Sequence, residues 1–147
     1  MSVFTDKWID EHKDELVEKL QQCVRINSVR DDGSAREGAP FGEGAAKCLE
    51  DTLNTAKAMG FEVKNLDGYC GTVDYGTGEE QLGILAHLDV VPEGEGWTYP
   101  PYAAEIHDGR LYGRGTMDDK GPAFAALFGL AAVKASGVET KRRVRLI

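Results

Sequence analysis

The sequence lacks the features that mark a secreted or membrane-embedded protein. Its three cysteines, Cys23, Cys48 and Cys70, are odd in number and irregularly spaced. That excludes a disulfide framework and the close cysteine pairs of a zinc–thiolate site, so a reducing cytoplasm is the expected setting. Long apolar runs are missing too. The longest, "AFAALFGLAAV" at 123–133, is too short to cross a bilayer and reads as a buried helix. The opening stretch "MSVFTDKWIDEHKDELVEKL" has no apolar segment of the secretory type. Cations are the minority, 17 Lys and Arg against 25 Asp and Glu, for a net charge of −8. Such a balance repels phosphate backbones and anionic lipid, so neither nucleic acid nor membrane is an expected partner. The single basic cluster, Lys141, Arg142, Arg143 and Arg145, is small and reads as a solvated strand end.

What remains is the composition of one soluble domain: 147 residues, 41% apolar and 29% charged, with 18 glycines. Residues 5–26 are predicted helical, with Ile9, Leu16, Leu20 and Val24 on one face. A Gly-rich loop over 27–44 follows, then a helix from about Gly44 to Met59 with Leu49, Leu53 and Ala56 inward and Gly60 as its stop. "FEVKNL", "YCGTVDYG" and "QLGILAHLDVV" read as strands, and Asp108-Gly109 as the turn of a hairpin. A third helix is expected to open near Gly121-Pro122 and to close at Ser136-Gly137, before a last strand in "RRVRLI". The order of elements predicts an α/β domain with a mixed, mainly parallel sheet flanked by helices.

Two segments carry chemistry. In "ILAHLDVV" a buried strand, Leu82 to Leu88, is expected to run out at His87 and Asp89. Alternate residues of a strand share a face, so an imidazole and a carboxylate point the same way. They fit a metal ligand and the carboxylate that orients it, or, taken alone, an ordinary strand-end pair. In "YGRGTMDDKGP", Gly113 and Gly115 allow a tight turn into the adjacent carboxylates Asp118 and Asp119. Two neighbouring carboxylates need a cation or hydrogen bonds to compensate them. A divalent metal such as zinc, manganese or cobalt would do so, and an acidic helix start would do so in part. A phosphate-binding loop is excluded, because Asp118 and Asp119 would repel the anion at the helix N-terminus.

Together, "LAHLDVVPEGEGW" and "LYGRGTMDDKGP" resemble the N-terminal part of the zinc peptidases of the aminoacylase/carboxypeptidase G2 family (M20), most similar to its bacterial, PepV-type dipeptidase branch. "PFGEG", "AMGFEVKN" and "YGTGEEQLGILAHLDVV" extend the likeness over nearly the whole chain. The resemblance implies that residues 1–147 form the first portion of the catalytic domain. His87 would bind one metal and Asp118 bridge two, while Asp89 holds the imidazole in a catalytic supporting role. Asp119 would merely shape the turn, and a cis peptide is expected at Asp118–Asp119. It further implies two zinc ions (with Mn2+ or Co2+ as substitutes) and a dipeptide or other small amide as substrate. The general base, the remaining ligands and the lid domain would lie past Ile147, leaving these 147 residues inactive alone. A related N-acyl-amino-acid deacylase and a non-catalytic relic of the fold are the alternatives, and the oligomeric state is left open.

The other candidates are weaker. Trp97, Tyr99 and Tyr102 in "GWTYPPY" could line a substrate cleft or pack a stiff loop onto the domain. Cys23 and Cys48 are expected in the core and Cys70 in a strand without a cationic neighbour. His12 and His107 are expected at the surface.

Overall fold

The computed structural model describes residues 3–147. Among the described residues, three α-helices, α1 (Val3–Val24), α2 (Glu43–Ala58) and α3 (Lys120–Ala135), and a short 3-10 turn at Asp32–Ser34 accompany six strands. These are β1 (Glu62–Leu66), β2 (Cys70–Tyr75), β3 (Gln81–Ile84), β4 (Glu105–His107), β5 (Arg110–Tyr112) and β6 (Arg143–Leu146). The main sheet has the order β1-β2-β6-β3: β1–β2 and β2–β6 are antiparallel, and β3–β6 is parallel. The mixed sheet with flanking helices is as expected, but it is mainly antiparallel rather than mainly parallel among the described residues, because β1 and β2 are joined by a short turn that can only bring them together antiparallel. Its parallel component is the β3–β6 pair, joined by a long crossover that contains α3, as a parallel connection requires. No helix among the described residues is long and apolar enough to cross a membrane.

The helices form where the apolar periodicity places them. Leu20, Cys23 and Val24 of α1 pack with Cys48 of α2 and with Phe124 and Phe128 of α3. Leu53 and Ala56 meet Phe61, Val73, Leu127, Leu130, Ala131 and Leu146 on the sheet side. Because α3 faces both clusters, it is buried on most sides, which explains why its sequence is apolar nearly all round. It begins at Lys120, one residue before the expected opening, and Pro122 still falls in the first turn, where a missing N–H costs nothing. Between β4 and β5, Asp108 and Gly109 both have positive φ, 51° and 73°. That is the backbone a two-residue hairpin turn demands.

A second expectation fails. The strand thought to be buried from Leu82 to Leu88 ends at Ile84 and is not buried along its length: Leu82, on the inner face, is 51% exposed, and Leu85, just past the strand, 80%. The cause is position: β3 is the edge of the sheet, paired only with β6. Past Ile84 the chain stays extended but finds other partners. Ala86 N–H donates to the Ile147 carbonyl at 3.0 Å, and Val90 N–H to the Ser28 carbonyl at 3.3 Å. The alternation therefore persists beyond the strand, with Ala86, Leu88 and Val90 more buried and Leu85, His87 and Asp89 exposed.

Candidate functional site

His87 and Asp89 sit on this extended segment, and Asp118 and Asp119 on the turn that leads into α3. Two close approaches hold the segments together. Gly115, at φ +89°, brings its backbone so near Val90 that a Cβ would lie 2.9 Å from Val90 Cγ1, and no other residue fits there without strain. Behind the turn, the fully buried Lys120 donates to the main-chain carbonyls of Cys23 (3.0 Å) and Ile26 (2.8 Å), fastening the start of α3 to the end of α1. Ser28 Oγ donates to the Leu88 carbonyl at 2.6 Å and so pins the residue between His87 and Asp89.

Three carboxylate and carbonyl groups approach the imidazole, and a fourth holds the main chain of His87. His87 Nε2 lies 3.0 Å from Asp118 Oδ1. Nδ1 lies 3.1 Å from the Asp89 main-chain oxygen and 3.4 Å from its carboxylate. The His87 main-chain N–H donates to Asp119 Oδ2 at 3.2 Å. A carbonyl oxygen only accepts, so Nδ1 carries a proton and Nε2 is the nitrogen free to receive a proton or a metal. Partial burial, the largest single influence, pulls the imidazole pKa down. The hydrogen bonds to Asp89 and Asp118 and the charges of both push the other way, and the net shift is upward. The peptide bond between Asp118 and Asp119 is cis.

This donor set fits a metal in part. Around a tetrahedral zinc, nitrogen and oxygen donors at about 2.0–2.1 Å stand about 3.3 Å apart. Nε2 and Oδ1 at 3.0 Å need open by only a few tenths of an ångström. The pair is not a complete shell, because among the described residues no group of three or more His, Cys, Asp or Glu side chains could hold a metal.

Alongside lies a cavity of about 330 Å³, walled by apolar side chains including Phe41, Leu49, Tyr69 and Leu146, with His87 and Asp89 in its lining. The aromatics of the proline loop are elsewhere. Tyr99 stacks on His107 with centroids 3.7 Å apart, Trp97 donates to the Glu93 carbonyl, and Tyr102 bonds the Glu93 carboxylate. They brace their own loop and the β4–β5 hairpin, so of the two readings left open for them the packing one describes the structure.

The structure thus brings His87, Asp89 and Asp118 together, gives Asp119 a further contact, and adds two residues not singled out above, Lys120 and Ser28. Asp119 does more than shape a turn, since its carboxylate holds the His87 backbone. Lys120 carried no local signal, since the carbonyls it bonds are distant in sequence. Ser28 carried none.

Comparison with known proteins covers most of the chain. Residues 83–147 match the family described as peptidase family M20/M25/M40. Over 135 residues, 92% of this chain, the sequence is 46% identical to a Bacillus subtilis (strain 168) protein named "Putative dipeptidase YtjP". It is 40% identical over 136 residues to the Beta-Ala-Xaa dipeptidase of Lactobacillus delbrueckii subsp. lactis. The chain spans 29% of the length of each of these curated relatives. Among solved structures, human carnosine dipeptidase 1 superposes with a TM-score of 0.76 at 25% identity, over 97% of this chain and 33% of that one. The di-peptidase Dug1p of Saccharomyces cerevisiae shares the fold at a TM-score of 0.80 and 21% identity, again over 97% of this chain and 33% of its own.

Proposed function

We propose that this chain, whose residues 83–147 match peptidase family M20/M25/M40 and which is 46% identical over 135 residues to a putative dipeptidase, forms part of the catalytic domain of a metal-dependent cytoplasmic dipeptidase of that family. The observation that carries this reading is the His87 Nε2–Asp118 Oδ1 pair at 3.0 Å, with Nδ1 held by Asp89. His87 and Asp118 would hold the metal, zinc by preference for this mixed nitrogen and oxygen set, with manganese or cobalt as substitutes. When bound, two such ions lower the pKa of a water and stabilise negative charge on the attacked amide carbonyl.

The residues of this chain do the positioning. Asp89 fixes the tautomer of His87 and keeps Nε2 aimed at the metal position. Asp119 restrains the His87 main chain, while Ser28 and Lys120 hold the two segments at their separation. Two donors do not make a binuclear centre, and the relatives are more than three times the length matched here. The general base and the other ligands are therefore assigned to chain outside these 147 residues, which would be inactive without it. The free state of all three cysteines suits a cytoplasmic setting.

The test is hydrolysis by the protein extended to the length of its relatives, with added zinc, against a panel of dipeptides and N-acyl amino acids. Dipeptide turnover that disappears in His87→Ala and in Asp118→Ala supports the proposal. Turnover of N-acyl amino acids alone would replace it with a deacylase, and near-normal activity in both variants would end it.

A further inference from the structure

Cys23 and Cys48 form a cluster that the proposed chemistry does not use. Both side chains have no exposure, and their sulfurs stand 3.4 Å apart, one on α1 and the other on α2. Each is recorded as a free thiol. A disulfide needs about 2.05 Å between sulfurs, so closing this pair takes a movement of about 1.4 Å. We propose that Cys23 and Cys48 are a redox modification site, oxidised by hydrogen peroxide to an intramolecular disulfide.

Three features support this. The first is the preorganised approach itself: two side chains with few rotatable bonds, on elements packed in one apolar cluster, hold their reacting atoms in contact. The second is chemical asymmetry. The hydrogen bond from Cys23 holds the Cys48 thiol below its usual range, against burial and with help from the Lys120 ammonium. The same bond, together with burial, pushes Cys23 up. Either sulfur can lead; with Cys48 as the nucleophile, Cys23 is the resolving partner. The third is access. Thr52 and Leu88, which flank Cys48, also line the 330 Å³ cavity, so open space comes within one residue of the thiol, and a small uncharged oxidant needs only a local opening to reach it.

The steps balance. Cys48 thiolate attacks one peroxide oxygen, the O–O bond breaks, and a sulfenic acid and hydroxide result. Cys23 sulfur then attacks the Cys48 sulfur, the S–O bond breaks, and water leaves with the Cys23 proton. Two thiols are oxidised by two electrons and one peroxide is reduced to two waters. The crosslink forms directly behind Leu88, whose carbonyl lies 3.8 Å from Cys48 Sγ.

The experiment uses the protein extended to the length of its relatives, with Cys70 and every cysteine outside these 147 residues replaced by serine, so that only this pair remains. After brief treatment with dilute peroxide, the chain is unfolded without reductant and its thiols are alkylated. We expect no alkylated cysteine, a monomer on a non-reducing gel, recovery of both thiols with dithiothreitol, and a peptide map joining Cys23 to Cys48. Oxidation should run at least ~10-fold faster in the folded protein than in denaturant, because only the fold brings the sulfurs together. Two free thiols after treatment, thiols lost beyond recovery by dithiothreitol, or linkage only between chains would each overturn the proposal. Cys23→Ser and Cys48→Ser serve as the single-thiol controls.

Discussion

Replacing Lys120 probes how the two halves of the site are held together. The side chain has no exposure, and its ammonium bonds the carbonyls of Cys23 and Ile26 at 3.0 and 2.8 Å. The Cys23 carbonyl keeps a second donor, the Ile26 N–H at 3.1 Å. Lys120→Met preserves most of the packed stem and removes the charge. It forfeits charge-assisted hydrogen bonds worth ~1.5–3 kcal/mol each and strands the Ile26 carbonyl. Against this stands the relief of no longer burying an ammonium group. The cation also sits at the C-terminal end of α1, whose own last turn has no basic residue, and there it gains from the helix dipole. The bonds and the dipole together exceed the relief, and Lys120→Met should destabilise by ~1–3 kcal/mol. Lys120→Ala adds the loss of the buried methylenes and should reach ~3–5 kcal/mol. Urea unfolding followed by far-UV circular dichroism measures both. A Lys120→Met protein as stable as the wild type, or more stable, would refute the reasoning, because desolvation would then outweigh the bonds.

Further predictions follow from single groups. Arg145 donates to both oxygens of Asp74 at 2.7 and 2.9 Å across the β2–β6 pair, and this hydrogen bonding holds the Asp74 carboxyl below its usual range. A depressed native pKa stabilises the fold above the ordinary carboxylate range and is lost as pH falls through the native value. Arg145→Ala should therefore move the acid-unfolding midpoint to higher pH, and an unmoved midpoint would contradict the pairing. For His87, Asp118→Asn in metal-free protein should lower the imidazole pKa read from its ring proton by NMR, since the Asp118 carboxylate is one of the groups that raise it; an unchanged pKa would mean the contact does not persist in solution. Gly121→Ala would drive a Cβ into the Thr116 carbonyl, distorting the turn that presents Asp118. It should cost ~1–3 kcal/mol in unfolding experiments, and a neutral effect would show that the turn yields freely.

The parts of this molecule legible in the sequence are those set by local rules. Ile9, Leu16, Leu20 and Val24 mark the inner face of α1. Asp108-Gly109 encodes its hairpin through positive φ, and the alternation around His87 and Asp89 survives even where the strand does not. The early end of β3 was not legible, because a run as apolar as "LGILAHL" reads as buried wherever it lies, and only the pairing order reveals it as an edge. Ser28 and Lys120 were hidden for a related reason. Each acts on a carbonyl distant in sequence, 60 residues away for Ser28 and 94 to 97 for Lys120, and no short motif records such a partner. Asp119 was visible as a residue but not as a tether, since its target is a main-chain N–H.

In the proposed site, Nε2 of His87 and the carboxylate of Asp118 would share a metal ion, with Asp89 steering the imidazole. The most direct measurement is zinc affinity by chelator competition, in the protein extended to the length of its relatives, for the wild type, His87→Ala, Asp118→Ala and Asp89→Asn. The account predicts that His87→Ala and Asp118→Ala each lose most of the binding at one or both ions. Asp89→Asn should lose ~10- to 100-fold, as expected for a group that orients a ligand without touching the metal. Zinc affinities for His87→Ala and Asp118→Ala equal to that of the wild type would contradict it.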